Sequence, residues 1–294
     1  MSEPGSESTL DAAMVQSRFV QVDGIRTHYL EAMPEGREAR QLDPVVLVHS
    51  GEFGGRAEFS WRENIAELGQ HFHVLAPDLV GFGRTELLYS FSDPIGLRIR
   101  HVRRFMETLD IGPAHFIGNS FGGSLTLQVA AAEQPAWAFR SIIAVSGGGQ
   151  APDNDARKVL TGYNGTREEM REILKVLFFD ERWWADDVVE ERWRASREPG
   201  AWEACAAPRF APEGAVRGFR VERPDYSKIR CPVLIVAGEN DLLRLPNYWL
   251  ELEAAIPRST TTVFERARHC SHIEHAAPFN QLAIVFLKEL ASFT

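Results

Sequence analysis

The chain has 294 residues, is 44% hydrophobic and 25% charged, and carries a formal net charge of -9. That length suits one large α/β domain with an insertion, and the composition can bury a full core. An acidic surface argues against nucleic acid and anionic membranes as partners, and no apolar run reaches the roughly 18 residues a membrane span needs.

Residues 1–16 include MSEPGSESTLDAAM, acidic and rich in small residues, without the basic start and apolar centre of a secretory leader. A mobile tail is expected there. Next, SRFVQVDGIRTHYLEAM alternates apolar residues around Asp23-Gly24, a hairpin signal. PVVLVHS, HFHVLAP, AHFIGNS, SIIAVSG, PVLIVAG and TTTVFER are short, β-branched and without clean alternation, as strands buried on both faces should be. Helical patterns fall between them: SWRENIAELGQ, PIGLRIRHVRRFMETLDIG, SLTLQVAAAEQP, PNYWLELEAAIP and PFNQLAIVFLKELASF. Such alternation predicts a mostly parallel eight-stranded sheet with helices on both faces. Residues 147–227 break the rhythm. They hold REEMREILKVLFF and RWWADDVVEERWRAS but no convincing β run, so a helical cap inserted after the sixth strand is expected. The core is then 17–146 and 228–294. Cys205, Cys231 and Cys270 are odd in number and widely spaced, so neither a disulfide framework nor a zinc site follows, and a reducing cytoplasm fits.

Gly118-Asn119-Ser120-Phe121-Gly122-Gly123 joins the AHFI strand to a helix. A Gly-x-Ser-x-Gly element there forces a sharp turn that lifts the serine hydroxyl above the sheet edge, at a helix N-terminus. The bland alternative is a glycine-rich turn with Ser120 as a helix cap. A serine hydroxyl needs a base, and the base an orienting acid, in the chain order Ser, Asp or Glu, His. Asp241 follows the PVLIVAG strand, with Asp153 and Asp155 as rivals. His269 follows the last strand, with His272 in an expected loop and His275 at the start of the last helix as rivals. Oxyanion donors are expected from the N–H groups of Phe121 and of Gly51, with Ser50 and Glu52 as neighbours able to take the second place. His49 is expected to brace that loop.

These residues resemble the α/β-hydrolase superfamily over nearly the whole chain: the His-x-Gly loop at 49–51, PDLVGFGRTE at 77–86, GNSFGG, GENDLLRLP and RHCSHIEH. Within it they are most similar to the meta-cleavage-product hydrolases, which split a carbon-carbon bond in vinylogous 1,5-diketones. The resemblance implies a Ser120–Asp241–His269 triad, and an arginine before a tryptophan, here Arg192 before Trp193, that binds the substrate's carboxylate end. Two departures stand out. The residue after His269 is Cys270 where the family has tryptophan, and Trp61-Arg62-Glu63 stands where the family has Trp-Ser-Asn. Trp183 and Trp184 can supply flat apolar walls, and Asn119 is a further candidate substrate contact. The bland alternative for the cap residues is Arg192 as an ion-pair partner of Glu190 or Glu191, and the tryptophans as packing.

The expected activity is hydrolysis of a small conjugated or aromatic molecule, by carbon-carbon cleavage or as an ester or lactone, without metal or organic cofactor. A non-catalytic receptor on the same fold is the competing class. The partner is a small molecule, not nucleic acid or membrane, and a homodimer is left open.

Overall fold

The computed structural model describes residues 15–214 and 224–291. The tail expected over 1–16 lies outside the described residues except for Val15 and Gln16, and Gln16 already opens the first strand.

Strands β1 (Gln16–Val22) and β2 (Ile25–Ala32) form the expected antiparallel hairpin. Asp23 and Gly24 both take positive φ, 49° and 84°, as a two-residue turn matched to strand twist demands. Then follow β3 (Pro44–Val48), helices α1 (Ala57–Trp61) and α2 (Ile65–Gly69), β4 (His73–Pro77), α3 (Pro94–Thr108), β5 (Ala114–Asn119), α4 (Phe121–Ala130) and β6 (Phe139–Val145). After β6 come α5 (Asp155–Gly162), α6 (Arg167–Leu177), α7 (Asp186–Ser196) and α8 (Ala201–Ala206). The chain closes with β7 (Val233–Gly238), α9 (Tyr248–Ala255), β8 (Ser259–Phe264), α10 (Ser271–Glu274) and α11 (Ala276–Ala291).

The strands form one sheet in the order β1-β2-β4-β3-β5-β6-β7-β8. Pairings from β4 through β8 are parallel; β2 alone runs antiparallel, to both β1 and β4. Alternate residues of a strand feed opposite faces. Val45 and Leu47 join a layer with Trp61, Phe279 and Leu287, while Val46 and Val48 join one with Phe105 and Leu125. Both faces are thus apolar, which is why the sequence shows runs rather than alternation. Burying a side chain such as Leu47 is worth about 1.5–3 kcal/mol.

Two local expectations change. SWRENIAELGQ is two short helices, not one: the chain turns at Arg62–Asn64, where the buried Asn64 amide donates to His272 O at 2.9 Å and to Asn280 Oδ1 at 2.8 Å. His272 sits in helix α10, fully buried, not in a loop.

Between β6 and β7 the described residues hold helices and no strand. Helix α6 starts at a capping box, Thr166 with Glu169, so its first N–H groups are satisfied locally. Its apolar face (Met170, Ile173, Leu174, Leu177) joins the same continuous cluster as Phe105 and Leu79 of the sheet layer. The cap therefore shares the core's packing.

Candidate active site

β5 ends at Asn119 and α4 begins at Phe121, leaving Ser120 alone to make the turn, at φ 55° and ψ -111°. A non-glycine residue there costs about 1–3 kcal/mol and survives only where its surroundings over-determine it. Here the Ser120 N–H donates to Val145 O at 2.8 Å, and the Ser124 N–H donates to Ser120 O at 2.9 Å. The flanking glycines are steric necessities. A Cβ at Gly122 would stand 2.1 Å from Val48 O, and one at Gly118 2.6 Å from Gly122 O.

The loops after β7 and β8 bring the other two groups to this point. His269 Nε2 lies 2.6 Å from Ser120 Oγ. His269 Nδ1 lies 2.8 Å and 3.0 Å from the two oxygens of Asp241. Asp241 Oδ1 also accepts the Leu243 N–H at 2.8 Å. Burial opposes ionisation of Asp241, but His269 beside it, the nearby Arg244 and the Leu243 N–H outweigh that and hold its pKa below the ordinary carboxylate value. A carboxylate on Nδ1 fixes the tautomer that leaves Nε2 free to take the serine proton. The rivals stand elsewhere. Asp153 and Asp155 are exposed, and Asp155 pairs with Lys158. His272 Nε2 faces Ser60 O at 2.9 Å, and His275 stacks on Phe264.

Gly51 lies against Phe121: a Cβ at Gly51 would stand 3.1 Å from Phe121 Cβ. Gly51 thus packs on the residue that follows Ser120, and the first N–H of α4 has no intrahelical acceptor. His49 braces the loop: its Nδ1–H donates to Ser50 O at 2.6 Å and its Nε2 accepts the Leu79 N–H at 2.9 Å. The PDLVGFGRTE stretch is a second brace. Buried Asp78 accepts the N–H groups of Ala57 and Arg84 at 2.8 and 2.9 Å and the Nδ1–H of His28 at 2.7 Å.

The other expected substrate contacts also have partners within the protein. Asn119 is fully buried; its amide nitrogen is 3.4 Å from both Val145 O and His269 O, tying β5 to β6 and to the histidine loop. Trp193 Nε1 donates to Gly165 O at 2.9 Å, Trp183 stacks on Phe178, and Trp184 offers its carbonyl to Arg171. Arg192 pairs with neither Glu190 nor Glu191. It forms a buried ion pair with Glu52 of the Gly51 loop, Nη2 to Oε1 at 2.5 Å.

Sequence reasoning missed three residues. Glu52, expected only as a backbone neighbour of the oxyanion donor, carries the carboxylate that pairs with Arg192. Arg244 donates from Nε to Ser146 O at 2.8 Å beside Asp241. Glu274 accepts the N–H groups of Phe179, Asp180 and Arg268 at 2.7, 3.0 and 2.8 Å, linking the chain just after α6 to the histidine loop. A groove of about 480 Å³ lined by Trp137, Phe139, Lys228 and Cys231 lies at the opposite, N-terminal ends of β6 and β7 and holds none of the triad.

Residues 45–282 match the sequence profile described as the alpha/beta hydrolase family. A 2-hydroxymuconate semialdehyde hydrolase of Pseudomonas sp. is 31% identical over 247 residues, 84% of this chain and 87% of that one. A 2-hydroxy-6-oxo-2,4-heptadienoate hydrolase of Pseudomonas putida is 31% identical over 83% of this chain and 89% of the other. Among solved structures, a meta-cleavage product hydrolase from Pseudomonas fluorescens IP01 superposes with a TM-score of 0.81 at 28% identity, over 92% of this chain and 97% of that one.

Proposed function

Because this chain belongs to the alpha/beta hydrolase family, we propose that it is a serine hydrolase that cleaves a carbon-carbon bond in a small vinylogous diketone, a reading supported by its similarity to a meta-cleavage product hydrolase. The observation that carries this reading is the unbroken relay from Asp241 through His269 to Ser120, at 2.8 and 2.6 Å.

Ser120 Oγ adds to the ketone carbon while its proton passes to His269 Nε2. Asp241 holds the imidazolium that forms. The N–H groups of Phe121 and Gly51 receive the developing oxyanion, and removing one such donor typically costs about 3–4 kcal/mol of barrier. The carbon-carbon bond then breaks, its electron pair moving onto the adjoining enone, which takes the proton from His269 and leaves as a dienol. Water, deprotonated by His269, releases the acyl group as a carboxylic acid and returns the proton to Ser120.

One observation favours a second reading, hydrolysis of an uncharged ester or lactone: Arg192 is already paired with Glu52. A cytoplasmic setting is part of this proposal and is supported by the three free thiols. Among the described residues no helix is long and apolar enough to cross a membrane.

A spectrophotometric screen tests the function. Yellow dienones should bleach with the enzyme at least about tenfold faster, by kcat/KM, than 4-nitrophenyl esters or lactones are hydrolysed. Esters turned over and dienones left intact would overturn carbon-carbon cleavage in favour of the second reading.

A further inference from the structure

Arg192 and Glu52 are 5% and 8% exposed. One Glu52 oxygen accepts from Arg192, and the other accepts from the Ser50 hydroxyl. Burial opposes ionisation of Glu52, but Arg192 and then Ser50 outweigh it and hold its pKa below the ordinary value. Two buried opposite charges thus form a neutral unit. The neighbouring acids of helix α7 are engaged elsewhere, Glu190 with Arg194 and Glu191 with Arg62.

The pair is tied to residues that adjoin the triad in the chain. Glu52 follows Gly51, which packs on Phe121 directly after Ser120. The charges of Glu52 and Arg192 both reach the thiol of Cys270, the residue after His269. The guanidinium also lies over the Phe59 ring, 4.5 Å from its centroid. An unpaired guanidinium in this place would be a fork for a ligand carboxylate. With Glu52 beside it, an incoming carboxylate meets a like charge where little water screens it.

We propose that Glu52 is a specificity-determining residue: it occupies Arg192 from within the chain and so selects substrates uncharged at the end that faces α7. Selection works by rejection, a second anion being excluded while a ketone, ester or aryl end is admitted. Arg192 Nε–H, buried and without an acceptor among the described residues, can serve a neutral oxygen there. This inference rests on the serine hydrolase reading above.

The test uses two matched pairs, one of dienones and one of 4-nitrophenyl esters, each with and without a terminal carboxylate. The native enzyme should favour the neutral member of each pair in kcat/KM. Glu52→Gln should shift that ratio toward the carboxylate member by about tenfold or more, through KM rather than kcat. The double variant Glu52→Gln with Arg192→Gln, which leaves no charge at this pair, should again favour the neutral member. A native enzyme that prefers the carboxylate members overturns the proposal whether or not the single variant folds. An unchanged ratio in folded Glu52→Gln does so as well. Inert dienones beside active esters would fail only the carbon-carbon reading, because the ester pair still reports on Glu52. If nothing were turned over, tighter binding of acetophenone than benzoate by calorimetry would support the selection, and the reverse order would overturn it.

Discussion

The Glu274 carboxylate accepts the backbone N–H of Arg268, the residue directly before His269, at 2.8 Å. Its other oxygen takes the N–H groups of Phe179 and Asp180, at the end of the cap helix α6. One side chain thus sets the histidine loop against the cap. Glu274→Gln turns one acceptor oxygen into a donor facing an N–H, and an unmet buried donor costs about 1–3 kcal/mol. We expect a lower Tm and a kcat reduced by about tenfold as His269 loses its support. Calorimetry and steady-state kinetics on the purified variant check both.

Gly122→Ala tests the nucleophile turn. The added Cβ would stand 2.1 Å from Val48 O and 2.6 Å from His49 O, both backbone atoms of the neighbouring strand end. Backbone cannot swing aside as a side chain can, so the variant should lose about 3 kcal/mol or more. Denaturant unfolding measures it. A variant as stable as the native protein would show that the turn is looser than described.

His272 makes the fold acid-sensitive. Burial pushes its pKa down from 6.5 to about 3. A folded-state value below the unfolded one means the neutral ring is favoured by folding. That stability is full above the unfolded pKa and drains as pH falls from about 6.5 toward 3. From pH 7 to 5 this one residue accounts for about 2 kcal/mol of lost stability. His101 and His115, both lowered to about 4 by burial, act in the same direction. Unfolding curves at pH 7 and pH 5 should show the drop, and His272→Gln, whose amide can still donate to Ser60 O, should show a smaller one.

Asp241→Asn keeps the shape of the acid but not its charge. The asparagine amide can donate to His269 Nδ1 and so lock the tautomer that has no lone pair toward Ser120. Loss of about 10⁴ in kcat with KM nearly unchanged is expected. Reaction with a fluorophosphonate should slow in parallel.

How far these residues were legible in the sequence follows from how local their signals are. The strands were visible because a sheet covered on both faces leaves uninterrupted apolar runs, as in Val45–Val48 and Val233–Ala237. Ser120 was visible because the turn forces glycine at fixed offsets. His269 and Asp241 were visible because both sit just past strand ends in the expected chain order. The division of SWRENIAELGQ was not, since it depends on Asn64 meeting Asn280, 216 residues away. Nor was the partner of Arg192: Glu190 and Glu191 are its sequence neighbours, yet the fold delivers Glu52 from 140 residues upstream. Charge pairing across such separations has no local trace. Glu274 lies within the RHCSHIEH motif, and two of its three backbone acceptances, from Phe179 and Asp180, exist only once the segment after α6 docks.

The central claim is that the Ser120 hydroxyl, 2.6 Å from His269, is the attacking group. The most direct measurement is single-turnover bleaching of a yellow dienone by Ser120→Ala, with its fold verified by circular dichroism. The account predicts an intact fold and a rate lower by at least about 10³. Bleaching within about tenfold of the native rate would contradict it.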